Sequence, residues 1–136
     1  MKRRELIVGI GSNVAEGRSM VSDAVDYLSG IFGGVECSGI YSTESVSGDG
    51  TNYFNAVARI YSTFGDDEVE AIFKAYELRC GRDEEMRRRK IVPIDLDIVV
   101  SGGSVLRPKD MAREYFQKGY RMLAAGNDQP LSRKDM

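Results

Sequence analysis

The sequence predicts an α+β domain of the ferredoxin-like, split-βαβ kind: an antiparallel sheet of four strands with two helices on one face. The other face is left free, and a short extra strand and a C-terminal helix extend the unit. Three observations predict it. Apolar runs of strand length alternate with stretches of helical periodicity in the order βαββαβ. Glycines close both helical stretches, "GG" at 33–34 and Gly81. The chain has 136 residues, the size of one domain able to bury a core without disulfides or metal.

"ELIVGI" (5–10) reads as a short buried strand, and "GSN" with the polar residues after it as a turn. From about Ser19 the apolar positions Met20, Val21, Ala24, Val25, Leu28 and Phe32 repeat at helical spacing until the glycine pair. "VECSGIYST" (35–43) and "NYFNAVARIYS" (52–62) read as strands, joined by an exposed, mobile loop rich in Ser, Gly and Asp. In "GDDEVEAIFKAYELRCG" acidic residues suit the start of a helix, and Val69, Ile72, Phe73, Tyr76 and Cys80 form its apolar stripe. "PIDLDIVV" (93–100) is the next strand, followed by a short one around "SVLRP". A helix from Lys109 to Ala125 then carries Met111, Tyr115, Lys118 and Met122 on one face. Residues 1–126 are expected to form the single domain, and "GNDQPLSRKDM" has little to bury, so 127–136 is expected to be a flexible tail.

Composition narrows the chemistry. The chain has no histidine, which removes Ser-His-Asp and Cys-His catalysis and histidine-ligated zinc. Two cysteines, Cys37 and Cys80, lie far apart and in no C-x-x-C pattern, so they read as reduced thiols. No run of 18 apolar residues occurs, and the six mostly apolar residues after "MKRRE" are too few for a signal peptide; a cytoplasmic protein without a membrane partner is expected. The formal net charge of −2 gives no reason to expect nucleic acid. Its distribution is uneven, however. Six Lys/Arg stand against twelve Asp/Glu in residues 1–78 and thirteen against nine in 79–136, which suggests a local anion site.

The aspartate strand is the strongest chemical signal. Successive side chains on a strand point to opposite faces, so Asp95 and Asp97 share one face while Ile94, Leu96 and Ile98 share the other. Two anions held side by side repel unless water, a cation or a hydrogen-bond donor intervenes. The pattern is read either as a site for a hard divalent cation or as an exposed strand face accepting N–H groups. Upstream lie Arg82, Arg87, Arg88, Arg89 and Lys90, which could meet phosphate charge brought by such a metal. The same run also reads as a solvated loop balanced by "DEE" at 83–85, with Arg82, beside the helix end, as the strongest candidate. No Rossmann or Walker A glycine pattern is present, so phosphates are not cradled by a P-loop. "NYFNAV" puts Tyr53 and Asn55 on one strand face, where they could stack on and hydrogen-bond a flat heterocycle, or simply be solvated. Phosphoryl-type transfer, which relies on positioning and charge neutralisation, fits what remains.

Taken together, "IGSN", "IYST", "NYFNAV", "ELRCGR" and "PIDLDIVV", in this order over residues 5–100, resemble the 6-hydroxymethyl-7,8-dihydropterin pyrophosphokinase family of folate biosynthesis. The resemblance implies a ferredoxin-like fold and transfer of a pyrophosphoryl group from ATP to a pterin hydroxymethyl. It implies that Asp95 and Asp97 hold two Mg²⁺ ions bridging the ATP phosphates. Arg82 and Lys90 are then the catalytic and ATP-binding cations, with Glu77 near the nucleotide. Thr43, Tyr53, Asn55 and Tyr120 are the residues implied for the pterin. The chain also departs from the family pattern. A Trp-Gly-Pro-Arg-like run is replaced by "RKIVP" (89–93), which puts Arg89 at the tryptophan position and Val92 where a catalytic arginine is expected. No histidine follows the strand, and the C-terminus is short. The alternative expectation is therefore a paralogue that binds pterin or nucleotide, or serves as an interaction module, without efficient turnover.

Overall fold

Alternating apolar positions pair into one sheet because each strand can then turn a continuous apolar row toward helices. The computed structural model describes residues 2–44 and 51–126, in the order β1 (Arg4–Ser12), α1 (Gly17–Phe32), β2 (Glu36–Cys37), β3 (Tyr41–Glu44), β4 (Asn52–Ser62), α2 (Asp66–Arg79), α3 (Glu84–Arg88), β5 (Asp95–Ser101), β6 (Ser104–Val105), α4 (Pro108–Met111) and α5 (Glu114–Gly126). The sheet is antiparallel throughout, ordered β2-β4-β1-β5-β6, with β3 also on β4. The expected α+β, ferredoxin-like architecture is what forms. Residues 45–50 of the loop expected between 43 and 52, and the tail expected over 127–136, fall outside the described residues.

Leu6, Val8 and Ile10 of β1, Ala56, Ala58 and Ile60 of β4, and Leu96 and Ile98 of β5 point to one face. There they meet Val21, Ala24 and Leu28 of α1 and Val69 and Phe73 of α2. Gly33 ends α1, its N–H donating to Ser29 O at 3.0 Å. At the start of α2 the Glu68 side chain accepts the Gly65 N–H at 2.8 Å.

Three expectations are corrected. The stretch 35–43 is not one strand. Gly39 sits at φ 94° and breaks it into β2 and β3, while Ser38 Oγ accepts the Val57 N–H at 3.0 Å in place of a ladder bond. The second sheet face is not free, because α5 packs on it through Phe116 and Leu123 against Ile7, Val57, Val99 and Val100. Nor does the helix over 109–125 form as one piece. It breaks between α4 and α5, and its buried side is Phe116, Gly119 and Leu123, leaving Lys118 and Met122 exposed. Gly119 explains the change of face: a Cβ there would lie 2.2 Å from Tyr41 Oη and 2.5 Å from Val57 Cγ2, so only glycine lets the helix approach the sheet. The Tyr41 hydroxyl meets the same helix, donating to Tyr115 O at 2.6 Å.

Candidate functional site

The part of the second face that α5 leaves open is a cavity of about 630 Å³. Register fixes what lines it. Asp95 stands opposite Gly11, Gly11 opposite Asn55, and Asn55 opposite Tyr41, so one row crosses four strands; Asp97, Gly9 and Val57 form the next row. Strands lie about 4.8 Å apart, which puts the carboxylates and the Asn55 amide roughly 10 Å from each other. The two glycines form the floor between them. A Cβ on Gly11 would come within 3.2 Å of Asn55 Oδ1, and one on Gly9 would sit in ordinary contact with Val99 and Phe116. Any side chain at these positions would fill the space that joins the two ends.

At one end Asn55, 6% exposed, donates from Nδ2 to Thr43 Oγ1 at 2.6 Å. That bond holds the amide in one orientation, and Tyr53 lines the wall beside it, with Phe116 of α5 also in the lining. The result is a slot with aromatic walls and a fixed amide, suited to a planar molecule with ring nitrogens.

Asp95 and Asp97 occupy the other end, held by a hydrogen bond between them. Burial, then the Asp95 charge, push the Asp97 carboxyl up to about 8. Burial would raise Asp95 as well, but the bond from Asp97 and the Arg82 guanidinium hold it below the ordinary value. Arg82 Nη1 reaches Asp95 Oδ1 at 2.6 Å and Glu77 Oε1 at 3.2 Å. Burial alone would lower the Arg82 pKa, yet the bond and charge of Asp95, with Glu77, raise it. Two half-buried carboxylates that need a proton to coexist are a donor set suited to a hard cation. Among the described residues no cluster of three or more Asp, Glu, His or Cys occurs, so phosphate oxygens and water would have to complete the shell.

The residues singled out in the sequence divide into those at the cavity and those behind it. Thr43, Tyr53, Asn55, Lys90, Asp95 and Asp97 line it, together with Arg89 and Val92. Glu77 does not. It is 2% exposed and accepts the Leu96 N–H at 2.8 Å, tying α2 to β5, while burial pushes its carboxyl above the ordinary value. Arg82 reaches Asp95 from the turn after α2 without lining the cavity, and Tyr120 packs on Phe116 with ring centroids 5.6 Å apart. Sequence reasoning missed several residues. Asn13 clamps the loop before β5, donating from Nδ2 to Lys90 O at 2.9 Å and accepting the Val92 N–H at 2.7 Å. Phe116, Asp110 and Tyr115 line the cavity from α4 and α5, and Arg107 stands 3.8 Å from Asp97. The "SN" after the first strand was the one visible signal, since a side-chain amide beside a strand end commonly bonds backbone.

An acidic pair, a cationic loop and an amide-bearing aromatic slot share one cavity of this α+β protein. The chain matches the family model of 7,8-dihydro-6-hydroxymethylpterin-pyrophosphokinase over residues 7–124. It belongs to that family, a family of transferases of folate biosynthesis. Among curated proteins none matches the chain. Among the described residues no helix is long and apolar enough to cross a membrane.

Proposed function

We propose that this chain, as an enzyme of the cytoplasm, transfers a pyrophosphoryl group from ATP to the hydroxymethyl group of 6-hydroxymethyl-7,8-dihydropterin, with two Mg²⁺ ions. The observation that supports it is the row across β5, β1 and β4, which sets the carboxylates and the Asn55 amide at opposite ends of one glycine-floored cavity. Asn55, oriented by Thr43, hydrogen-bonds the pterin ring beside Tyr53, and Tyr120 acts through Phe116, on which it packs. Asp95 and Asp97 hold the metal, which neutralises phosphate charge and orients the triphosphate when bound. The acceptor hydroxyl oxygen attacks the β-phosphorus as its bond to the α-phosphate oxygen breaks, AMP leaves, and the hydroxyl proton passes to solvent. Lys90 and Arg89, from the loop that Asn13 clamps, meet the charge spread over the transferring oxygens. Arg82, braced by Glu77, holds Asp95 in place.

One observation favours a second reading. Val92 lines the cavity where the family pattern expects an arginine, and the chain has no histidine, which would suit a protein that binds these ligands without turning them over. Calorimetry with ATP, with and without Mg²⁺, and AMP release with the pterin present separate the two. Metal-dependent ATP binding with AMP formed is expected. Pterin binding with AMP no higher than in the enzyme-free control would leave the binding reading in its place.

A further inference from the structure

Resting on the function proposed above, we infer that Asp110, on α4, takes the proton of the acceptor hydroxyl on its way to solvent. Among the described residues Glu44, Asp95, Asp97 and Asp110 are the carboxylates that line the cavity. Asp95 and Asp97 bond each other and form the pair that suits a cation. Glu44 stands opposite Asn52, beyond the bonded Thr43 and Asn55 side chains at the amide end. Asp110 is the carboxylate left for other work.

Its neighbours place it between the two ends. Oδ2 accepts from Arg107 Nε at 2.5 Å, and Nη1 of that guanidinium stands 3.8 Å from Asp97 Oδ1, so one guanidinium separates Asp110 from the acidic end. Oδ1 accepts from the Tyr115 hydroxyl at 3.3 Å, while Tyr115 O accepts from the hydroxyl of Tyr41, the strand partner of Asn55. One tyrosine thus links Asp110 to the amide end. A pterin held at Asn55 with its hydroxymethyl toward the acidic pair would bring that hydroxyl into the interval Asp110 borders.

The two oxygens of Asp110 are not held alike. Oδ2 is tied by a short, charge-assisted bond that fixes the carboxylate. Oδ1 has only the long bond from Tyr115 and keeps capacity for a second donor. Burial, then the Asp110 charge, push the Tyr115 phenol up to about 12, so Tyr115 keeps its proton and is the donor of the pair. With no histidine in the chain, a placed carboxylate is the proton acceptor at hand. In the step, the acceptor O–H proton passes to Asp110 Oδ1 as the oxygen bonds the β-phosphorus, and the electrons of the breaking phosphorus–oxygen bond leave with AMP. The Asp110 side chain, 24% exposed, returns the proton to water. An aspartate set against the acceptor hydroxyl does the same work in protein kinases.

The test compares wild type, Asp110→Asn and Asp110→Ala in single-turnover AMP formation from MgATP and the pterin, with binding of each ligand followed by calorimetry. In both variants the rate should fall on the order of a hundredfold, the low end for a proton-transfer group because charge neutralisation carries most of phosphoryl transfer. Both dissociation constants should hold, which also shows that the variants are folded. Added formate should restore part of the rate to Asp110→Ala and none to Asp110→Asn, whose amide fills the space. Variants that turn over like wild type, a loss confined to MgATP binding, or a rate that formate leaves unchanged in Asp110→Ala would mean that Asp110 only anchors Arg107. The inference then fails while the proposed function stands. A wild type that forms no AMP overturns both.

Discussion

The two faces of this sheet come from the same strands and differ in what one residue of register does. On the face toward α1 and α2, Leu96 and Ile98 are fully buried among Val69, Phe73 and Ile94. On the other, their neighbours Asp95 and Asp97 are half-buried beside a cavity, and α5 covers only the apolar remainder. The first face supplies stability by excluding water. The second keeps polar groups in a confined space and draws its rigidity from the first. The difference teaches that this site is a polar annex to an apolar core, so damage to the two faces should look unlike.

The largest expected effect is on the core side of the aspartate strand. Leu96→Ala removes a fully buried side chain and should cost about 2–5 kcal/mol, read as a drop in the unfolding midpoint. One residue along, Asp97→Asn should leave the fold intact and stabilise the metal-free protein near neutral pH. The sign follows from the raised pKa. A carboxyl that titrates near 8 when folded and near 3.8 when unfolded contributes stability below pH 3.8 and loses it as pH rises toward 8. Thermal melts without metal should therefore fall across pH 4–8 for wild type and flatten for the Asp97→Asn variant. Mg²⁺ with ATP should restore wild type only. Equal slopes for the two proteins would show that the Asp97 carboxyl is not raised in the folded protein.

A smaller effect tests how the second face is closed. Gly119→Ala places a methyl against Tyr41 Oη and Val57 Cγ2, both held in a packed interface, and overpacking of this kind costs about 1–3 kcal/mol. The strain falls where α5 carries Phe116 and Tyr115 into the cavity wall. Pterin affinity should consequently drop more than MgATP affinity in the same variant. A loss shared evenly between the two ligands would mean that α5 does not shape one end of the cavity selectively.

How far this was legible in the sequence depended on whether the signal was local. Strand β4 over 52–62, the shared face of Asp95 and Asp97 and the stripes of α1 and α2 follow from periods of 2 and 3.6, which a sequence displays directly. The sheet order follows from the βαββαβ order. Gly39 hides a break inside an apolar run, because only its φ reveals that the ladder stops there. The packed side of α5 was misassigned because Gly119 has no side chain to count as apolar, although its lack of one is what lets the helix dock. Arg107, Asp110 and Phe116 reach the site only through tertiary contacts with β5 and β1, and nothing in their local spacing announces that.

The smallest effect concerns the loop between the two faces. Lys90 is exposed and lies at φ 58°, the left-handed region, which costs a side-chain-bearing residue about 1–2 kcal/mol. The Asn13 side chain holds it there through Lys90 O, alongside the backbone bond between Asn13 N–H and Val92 O at 2.9 Å. Lys90→Gly removes the strain but widens the unfolded ensemble by about 0.5–1 kcal/mol, so its net change should be zero to about 1.5 kcal/mol of stabilisation. Lys90→Ala keeps the strain and shows no such gain. Both variants lose the same ammonium, so both should weaken MgATP binding alike if that charge meets phosphate. A glycine variant more stable than the alanine variant, with matched losses in ATP affinity, assigns backbone strain and phosphate contact to the same residue as separable properties. If the two melt together, Asn13 does not impose the conformation at a cost; if only the alanine variant loses ATP affinity, the position of the loop matters to the ligand and the lysine charge does not.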